Sequence, residues 1–222
     1  MILLTAKNCS FFHSATLENV LQFPVRRCII LLFTVKSVNR AVKTMDTTEK
    51  TIEKKYVYRG KIINVRCDGA LLPNGEPCKR EIVEHHGGAA ILCERGGKIA
   101  FVKQYRYAYG KEVLEIPAGK LEAGEDPLNA AKRELKEETG VSAEKFEKIA
   151  EVYPSPGYTN EIIYIYRAYP VSAGAASPDP DEFLSVLWIG EEDAEKMLKS
   201  GEISDAKTII ALQRYFWEKA SR

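Results

Sequence analysis

Residues 119–141, GKLEAGEDPLNAAKRELKEETGV, hold five glutamates and yet carry the periodicity of a helix that packs on a core. These two properties conflict, because carboxylates at this density repel one another unless a counter-charge is present. Any fold of this chain must therefore bury one side of the segment and neutralise the other. Asp126-Pro127 is a start signal, an N-cap acceptor followed by proline at the first helical position. Leu128, Ala131 and Leu135 then recur at helical intervals and give one apolar stripe. Glu134 and Glu138 are four residues apart and Glu137 is three from Glu134, so all three share a side of the helix beside that stripe. Gly140 falls where the helix ends and a positive φ is wanted. Ahead of the helix, Gly119 and Gly124 bracket a loop containing Glu122 and Glu125. The spacing predicts a loop–helix–loop that gathers carboxylate oxygens in one place. Such oxygens suit Mg²⁺, which takes a few carboxylates together with water and substrate phosphate. The competing reading is a solvated acidic face with Arg133 and Lys136 as its partners.

The chain has 222 residues, 45% of them hydrophobic, enough for one domain or a domain with a small subdomain. Its formal net charge of +1 hides an asymmetry. Residues 1–44 hold six Lys/Arg against the single acid Glu18, leaving 26 basic and 30 acidic residues in the remainder. A mildly acidic body gives no footprint for nucleic acid. The apolar run at residues 28–35 is far shorter than the roughly 20 residues of a membrane span. Residues 1–44 read either as a disordered targeting leader or as an extension upstream of a start at Met45. Residues 45–222 are then expected to fold and act alone. Cys9, Cys28, Cys67, Cys78 and Cys93 are odd in number and lack zinc-site spacing, which points to reduced thiols in a cytoplasmic protein.

Along the body, residues 55–65 and 79–84 read as strands around a turn at Pro73-Asn74-Gly75, an antiparallel hairpin or meander. Gly87-Gly88 interrupts the pattern, with His85 and His86 beside it in a structural setting. Strands are predicted at 89–93 and 98–104 around a Gly96-Gly97 turn, and residues 114–117 lead directly into the acidic loop. Further strands are predicted at 146–153, 162–169 and 183–189, and helices at 191–198 and 205–219. The division is a subdomain at 45–86 and a main domain at 87–222. Strands interleaved with helices give an α/β (α+β) sandwich rather than a doubly wound parallel sheet.

The ordered string Gly, five residues, Glu, seven residues, Arg-Glu-Leu-x-Glu-Glu-x-Gly-Val resembles the Nudix box of the Nudix hydrolases. The match holds at Gly119, Glu125, Arg133, Glu134, Leu135, Glu137, Glu138, Gly140 and Val141. The resemblance implies an α/β/α sandwich with a mixed sheet, preceded by a small antiparallel β subdomain. The flanks Gln104-Tyr105-Arg106, Glu115-Ile116-Pro117-Ala118-Gly119, Ser155-Pro156-Gly157 and the segment 206–212 look like the ADP-ribose pyrophosphatase branch. That branch implies Mg²⁺-dependent hydrolysis of ADP-ribose to AMP and ribose 5-phosphate, with Mn²⁺ able to substitute. The alternatives are another nucleoside diphosphate sugar or a dinucleotide as substrate, or a sensor that binds ADP-ribose without cleaving it. Sensors of that kind lose box glutamates, which this chain keeps.

By resemblance, Glu134 and Glu138 are metal ligands, with the Ala118 carbonyl and Glu137 completing the shell. Arg133 orients the glutamates, and Pro156 marks a substrate-side loop. Arg106 is either a phosphate-binding arginine or a surface charge on an edge strand. The general base is Glu182, in the loop before the last strand, or Glu137. Tyr56, Tyr58, Tyr105 and Tyr107 are candidates for stacking on adenine. Residues 55–84 resemble the segment this branch exchanges across a two-fold axis. A homodimer is therefore expected, with part of each site, Arg80 included, supplied across that axis. No membrane partner is implied.

Overall fold

A run of six buried residues, Gly88 to Cys93, marks the strand around which the fold is built. Only a strand covered on both faces reads this way. The computed structural model describes residues 45–178 and 183–221. It contains β1 (Lys50–Glu53), β2 (Tyr56–Arg59), β3 (Asn64–Leu71), β4 (Pro77–Glu84), β5 (Gly88–Arg95) and β6 (Lys98–Arg106). These are followed by β7 (Lys111–Glu115), β8 (Ala118–Lys120), α1 (Pro127–Thr139), β9 (Val141–Val152) and β10 (Ile163–Ala173). The chain continues through β11 (Leu184–Gly190), α2 (Glu191–Ser200) and α3 (Ala206–Ala220).

The main sheet has seven strands in the order β11-β6-β5-β10-β9, with β7 paired to β6 and β8 to β5. It is mixed: β10 runs parallel to β5, while β9, β6 and β8 pair antiparallel to their neighbours. Alternate residues of β5 point to opposite faces. Ala89, Ile91 and Cys93 pack with Ala131 and Leu135 of α1, and Ala90 and Leu92 pack with Ala211 and Leu212 of α3. The result is an α/β/α sandwich with α1 on one face and α2 and α3 on the other. Deep burial also pushes the Cys93 thiol up to about 12, so it behaves as a small apolar side chain.

The second sheet is antiparallel and has four strands, β1 and β2 pairing one side of β3 and β4 the other. The expected single strand at 55–65 is instead the two strands β2 and β3. Gly60 turns the chain between them, its amide donating to the Ile63 carbonyl at 2.9 Å. A Cβ at Gly60 would lie 2.6 Å from the Tyr58 ring. The predicted hairpin β3–β4 is present, with Gly75 at φ 89° in its turn. Three strands were not legible in the sequence, β1, β7 and the three-residue β8, all too short for an alternating pattern to register. The two sheets are joined through β4. The Val83 amide donates to the Tyr158 carbonyl at 2.8 Å, and the Asn160 amide donates to the Val83 carbonyl at 3.2 Å.

Candidate active site

Helix α1 starts as its sequence predicts. The Asp126 carboxylate accepts the amides of Leu128 and Asn129 at 3.0 and 3.1 Å, with Pro127 in the first turn. A cap of this kind contributes about 1 kcal/mol. At the other end Gly140 takes φ 70°, and a Cβ there would lie 2.3 Å from the Gly174 carbonyl oxygen. Ala130, Ala131 and Leu135 are fully buried against the sheet, which fixes the rotation of the helix. Glu134 and Glu138, on the flank of that stripe, are consequently 6% and 2% exposed.

Strand β8 lies against these two carboxylates. Glu138 Oε2 accepts the Ala118 amide at 2.9 Å. A Cβ on Gly119 would fall 1.9 Å from Glu134 Oε1, so this position accepts no side chain while the carboxylate stays in place. Of the two glycines that bracket the loop in the sequence, Gly119 thus marks a close approach of main chain to carboxylate, whereas Gly124 takes φ 79° with open space around it.

Arg133 supplies the internal counter-charge. Its Nε and Nη2 bond Glu125 at 3.1 and 3.0 Å. Its Nη1 bonds Glu134 at 2.7 Å and Glu137 at 3.1 Å, and Nη2 also reaches the Lys120 carbonyl at 3.2 Å. The hydrogen bonds from Arg133 hold the Glu125 carboxyl below its ordinary range, and the same contacts, led by Glu125, raise the Arg133 guanidinium. Arg133 bonds Glu125, Glu134 and Glu137 but not Glu138, which feels the charge of Arg106 instead.

Among the described residues no three His, Cys, Asp or Glu side chains converge closely enough to enclose an ion. Arg133 holds Glu134 Oε1 and Glu137 Oε2. The oxygens that gather deepest on this side of α1 are those of the buried Glu134 and Glu138, beside the main chain at Ala118. All are hard oxygens, few in number, as Mg²⁺ prefers when water and phosphate complete its shell. The residues present fit a divalent cation of that kind.

A second charged cluster lies at the end of β7. Glu115, 2% exposed, accepts Arg106 Nε and Nη2 at 2.6 and 2.7 Å and also bonds Lys207. Burial pushes the Glu115 carboxyl up, but Arg106 and Lys207 more than offset this and leave it below its ordinary range. Sequence reasoning singled out Arg106 but passed over Glu115 as a site residue. Its signal was a lone acid in the run Val113-Leu114-Glu115-Ile116, a place where an unpaired charge could not be tolerated.

The remaining candidates are dispersed. Arg80, on β4, is exposed and paired with Glu49 at 2.8 and 2.5 Å. Pro156 lies exposed in the turn that joins the two sheets. Tyr56 lies under the Arg59 guanidinium at 3.6 Å, while Tyr105 and Tyr107 are 58% and 91% exposed. His85 accepts the Gly87 amide on Nδ1 at 3.0 Å. Glu182 lies outside the described residues. The segment before it is anchored at α1, where the Ser177 amide donates to the Glu137 carbonyl at 2.8 Å.

A family profile described as "NUDIX domain" matches residues 84–212, and one described as "Nucleoside diphosphate sugar hydrolase N-terminal domain" matches residues 49–83. The chain is 45% identical over 168 residues to "ADP-ribose pyrophosphatase" of Bacillus subtilis (strain 168), covering 74% of this chain and 91% of that protein. It is 42% identical to "Methanol dehydrogenase activator" of Bacillus methanolicus over the same shares of the two chains. A third relative, "ADP-ribose pyrophosphatase" of Mycobacterium tuberculosis (strain ATCC 25618 / H37Rv), is 33% identical over 73% of this chain and 81% of its own.

Proposed function

The chain belongs to the NUDIX domain family, and from that premise we propose that it hydrolyses the pyrophosphate bond of ADP-ribose, releasing AMP and ribose 5-phosphate. The observation that carries the hydrolytic reading is the pairing of two buried carboxylates, Glu134 and Glu138, with the main chain at Ala118-Gly119. The choice of substrate is supported by two relatives that bear the name ADP-ribose pyrophosphatase.

Glu134, Glu138 and the Ala118 carbonyl would hold Mg²⁺, with Mn²⁺ able to take its place. When bound, the ion neutralises charge on the pyrophosphate and acidifies the attacking water. Arg133 orients the glutamates through the charge-assisted bonds described above. Arg106 presents a guanidinium to the phosphates, its Nη1 taking no part in the two bonds to Glu115. In hydrolysis a P–O bond to the bridging oxygen breaks as one to the water oxygen forms, and a base must take the water's proton. Glu182 is the base in this reading and Glu137 its competitor. Pro156 shapes the substrate-side loop. The working unit is a homodimer in which Arg80 contributes across the two-fold, and the protein is cytoplasmic.

A second reading, another nucleoside diphosphate sugar as substrate, is favoured by the description of the profile that matches residues 49–83. Measuring kcat/KM with Mg²⁺ across ADP-ribose, other nucleoside diphosphate sugars and dinucleotides separates the two. ADP-ribose is expected to be preferred by at least about tenfold, roughly 1.4 kcal/mol of transition-state discrimination. Equal turnover of sugar nucleotides would leave a hydrolase without that preference.

A further inference from the structure

Packing alone gives no reason for a cation at Lys207. The residue is 9% exposed, and an ammonium taken from water needs excellent pairing to offset the lost hydration. It also lies in the first turn of α3, where the peptide dipoles present their positive end. Lys207 nevertheless bonds Glu115, and it bonds Asp205 at 3.0 Å. Glu115 is the carboxylate that grips Arg106 through two nitrogens. The next residue, Thr208, is fully buried. Its hydroxyl donates to Asp205 at 2.6 Å and accepts the Ile116 amide at 2.9 Å.

The segment between β7 and β8 is thereby tied at each residue. Glu115 is held by its side chain, Ile116 by its amide and Ala118 by its amide on Glu138, while the Pro117 carbonyl accepts the Ile91 amide at 2.8 Å. Two of those four ties come from the first turn of α3. Charge points the same way. Arg106 and Lys207 balance Glu115 and Asp205, whereas without Lys207 the cluster carries a net negative charge where an anionic substrate must approach. Lys207 also shares the Glu115 carboxylate, which leaves more of the Arg106 charge for a phosphate.

We propose that Lys207 and Thr208 are positioning residues for the pyrophosphate-cleaving site, Lys207 acting on Arg106 through Glu115 and Thr208 acting on Ala118 through the Ile116 amide. The proposal rests on the hydrolytic reading given above, and a comparison of parent and variants keeps the two apart. Lys207→Met, Lys207→Arg, Arg106→Gln and the Lys207→Met/Arg106→Gln pair would be assayed with ADP-ribose and Mg²⁺. Binding of the uncleavable α,β-methylene-ADP-ribose would be measured by calorimetry. Lys207→Met is expected to raise KM and weaken the analogue by about 10–100-fold, with a smaller change in kcat. Lys207→Arg should recover most of the loss, and the pair should be no worse than Arg106→Gln alone. Thr208→Val, which keeps the shape, should weaken Mg²⁺ binding without substrate by about tenfold. It decides the role of Thr208 alone, and Lys207→Gln, read in the same way, replaces Lys207→Met if that variant does not fold. An active parent whose folded Lys207→Met variant binds the analogue equally well overturns the role of Lys207. Unchanged Mg²⁺ affinity in Thr208→Val overturns that of Thr208. A parent that cleaves no nucleoside diphosphate compound overturns the hydrolytic reading itself, and the proposal with it.

Discussion

Arg133 carries the most at the scale of single residues, because one guanidinium holds Glu125, Glu134 and Glu137 together. Removing it leaves those carboxylates to repel one another, Glu134 and Glu137 from α1 and Glu125 from the loop ahead of it. Arg133→Gln is therefore expected to weaken Mg²⁺ affinity by about 10–100-fold, the usual effect of losing a group that orients ligands. Calorimetric titration with Mg²⁺ checks this, and unchanged affinity would mean that Glu134 and Glu138 are held by the fold alone. The base is a separate question at the same scale. Glu182→Gln should lower kcat by roughly 10²–10⁴ if Glu182 takes the proton. The same loss in Glu137→Gln with Glu182→Gln active would move the role to Glu137. The spacing of the acids along α1 was legible in the sequence, since i,i+4 arithmetic puts Glu134 and Glu138 side by side. The bonds from Arg133 to Glu125 and from Lys207 to Glu115 were not, because a hydrogen bond between residues eight or ninety-two apart leaves no local pattern.

At the scale of elements, α1 was readable from end to end because every signal agreed: the Asp126 cap, Pro127, the apolar stripe and Gly140. Strand β8 was not readable. Three residues cannot show alternation, and Gly119 looked like a loop residue until Glu134 was found against it. The strands on either side of Gly60 were merged for the opposite reason, since β-forming residues ran continuously across a tertiary turn. The link between β7 and α3 has a pH signature. Glu115 has its carboxyl below the ordinary value of 4.5, so its contribution to stability is complete above about pH 4.5. It is lost as pH falls through the lowered value. Thermal unfolding from pH 6 to pH 3 should therefore fall more steeply for the parent than for Glu115→Gln. Parallel curves would show that the Arg106–Glu115–Lys207 cluster adds nothing to folding.

At the scale of the whole molecule, two sheets meet through β4 and the 158–160 segment, and the smaller sheet leaves much apolar surface uncovered. Ile52, Val57 and Tyr58 are 62%, 59% and 56% exposed. Exposed apolar side chains gathered on one small sheet support the homodimer proposed above. Light scattering at micromolar concentration should return twice the mass of the chain, and a monomeric mass would remove the exchange of β1–β4 and the role given to Arg80. Among the described residues no helix is long and apolar enough to cross a membrane. The sandwich was foreseeable from the alternation of strands and helices, but the joining of the sheets was not, because it depends on main-chain bonds from a loop read only as a Ser-Pro-Gly marker. The most direct measurement follows the products of ADP-ribose hydrolysis with and without Mg²⁺, using Glu138→Gln as control. The expected result is AMP and ribose 5-phosphate in equal amounts, formed only with the metal and almost absent with Glu138→Gln. ADP-ribose that is bound but not cleaved, or cleavage that survives Glu138→Gln unchanged, would contradict the assignment of this site.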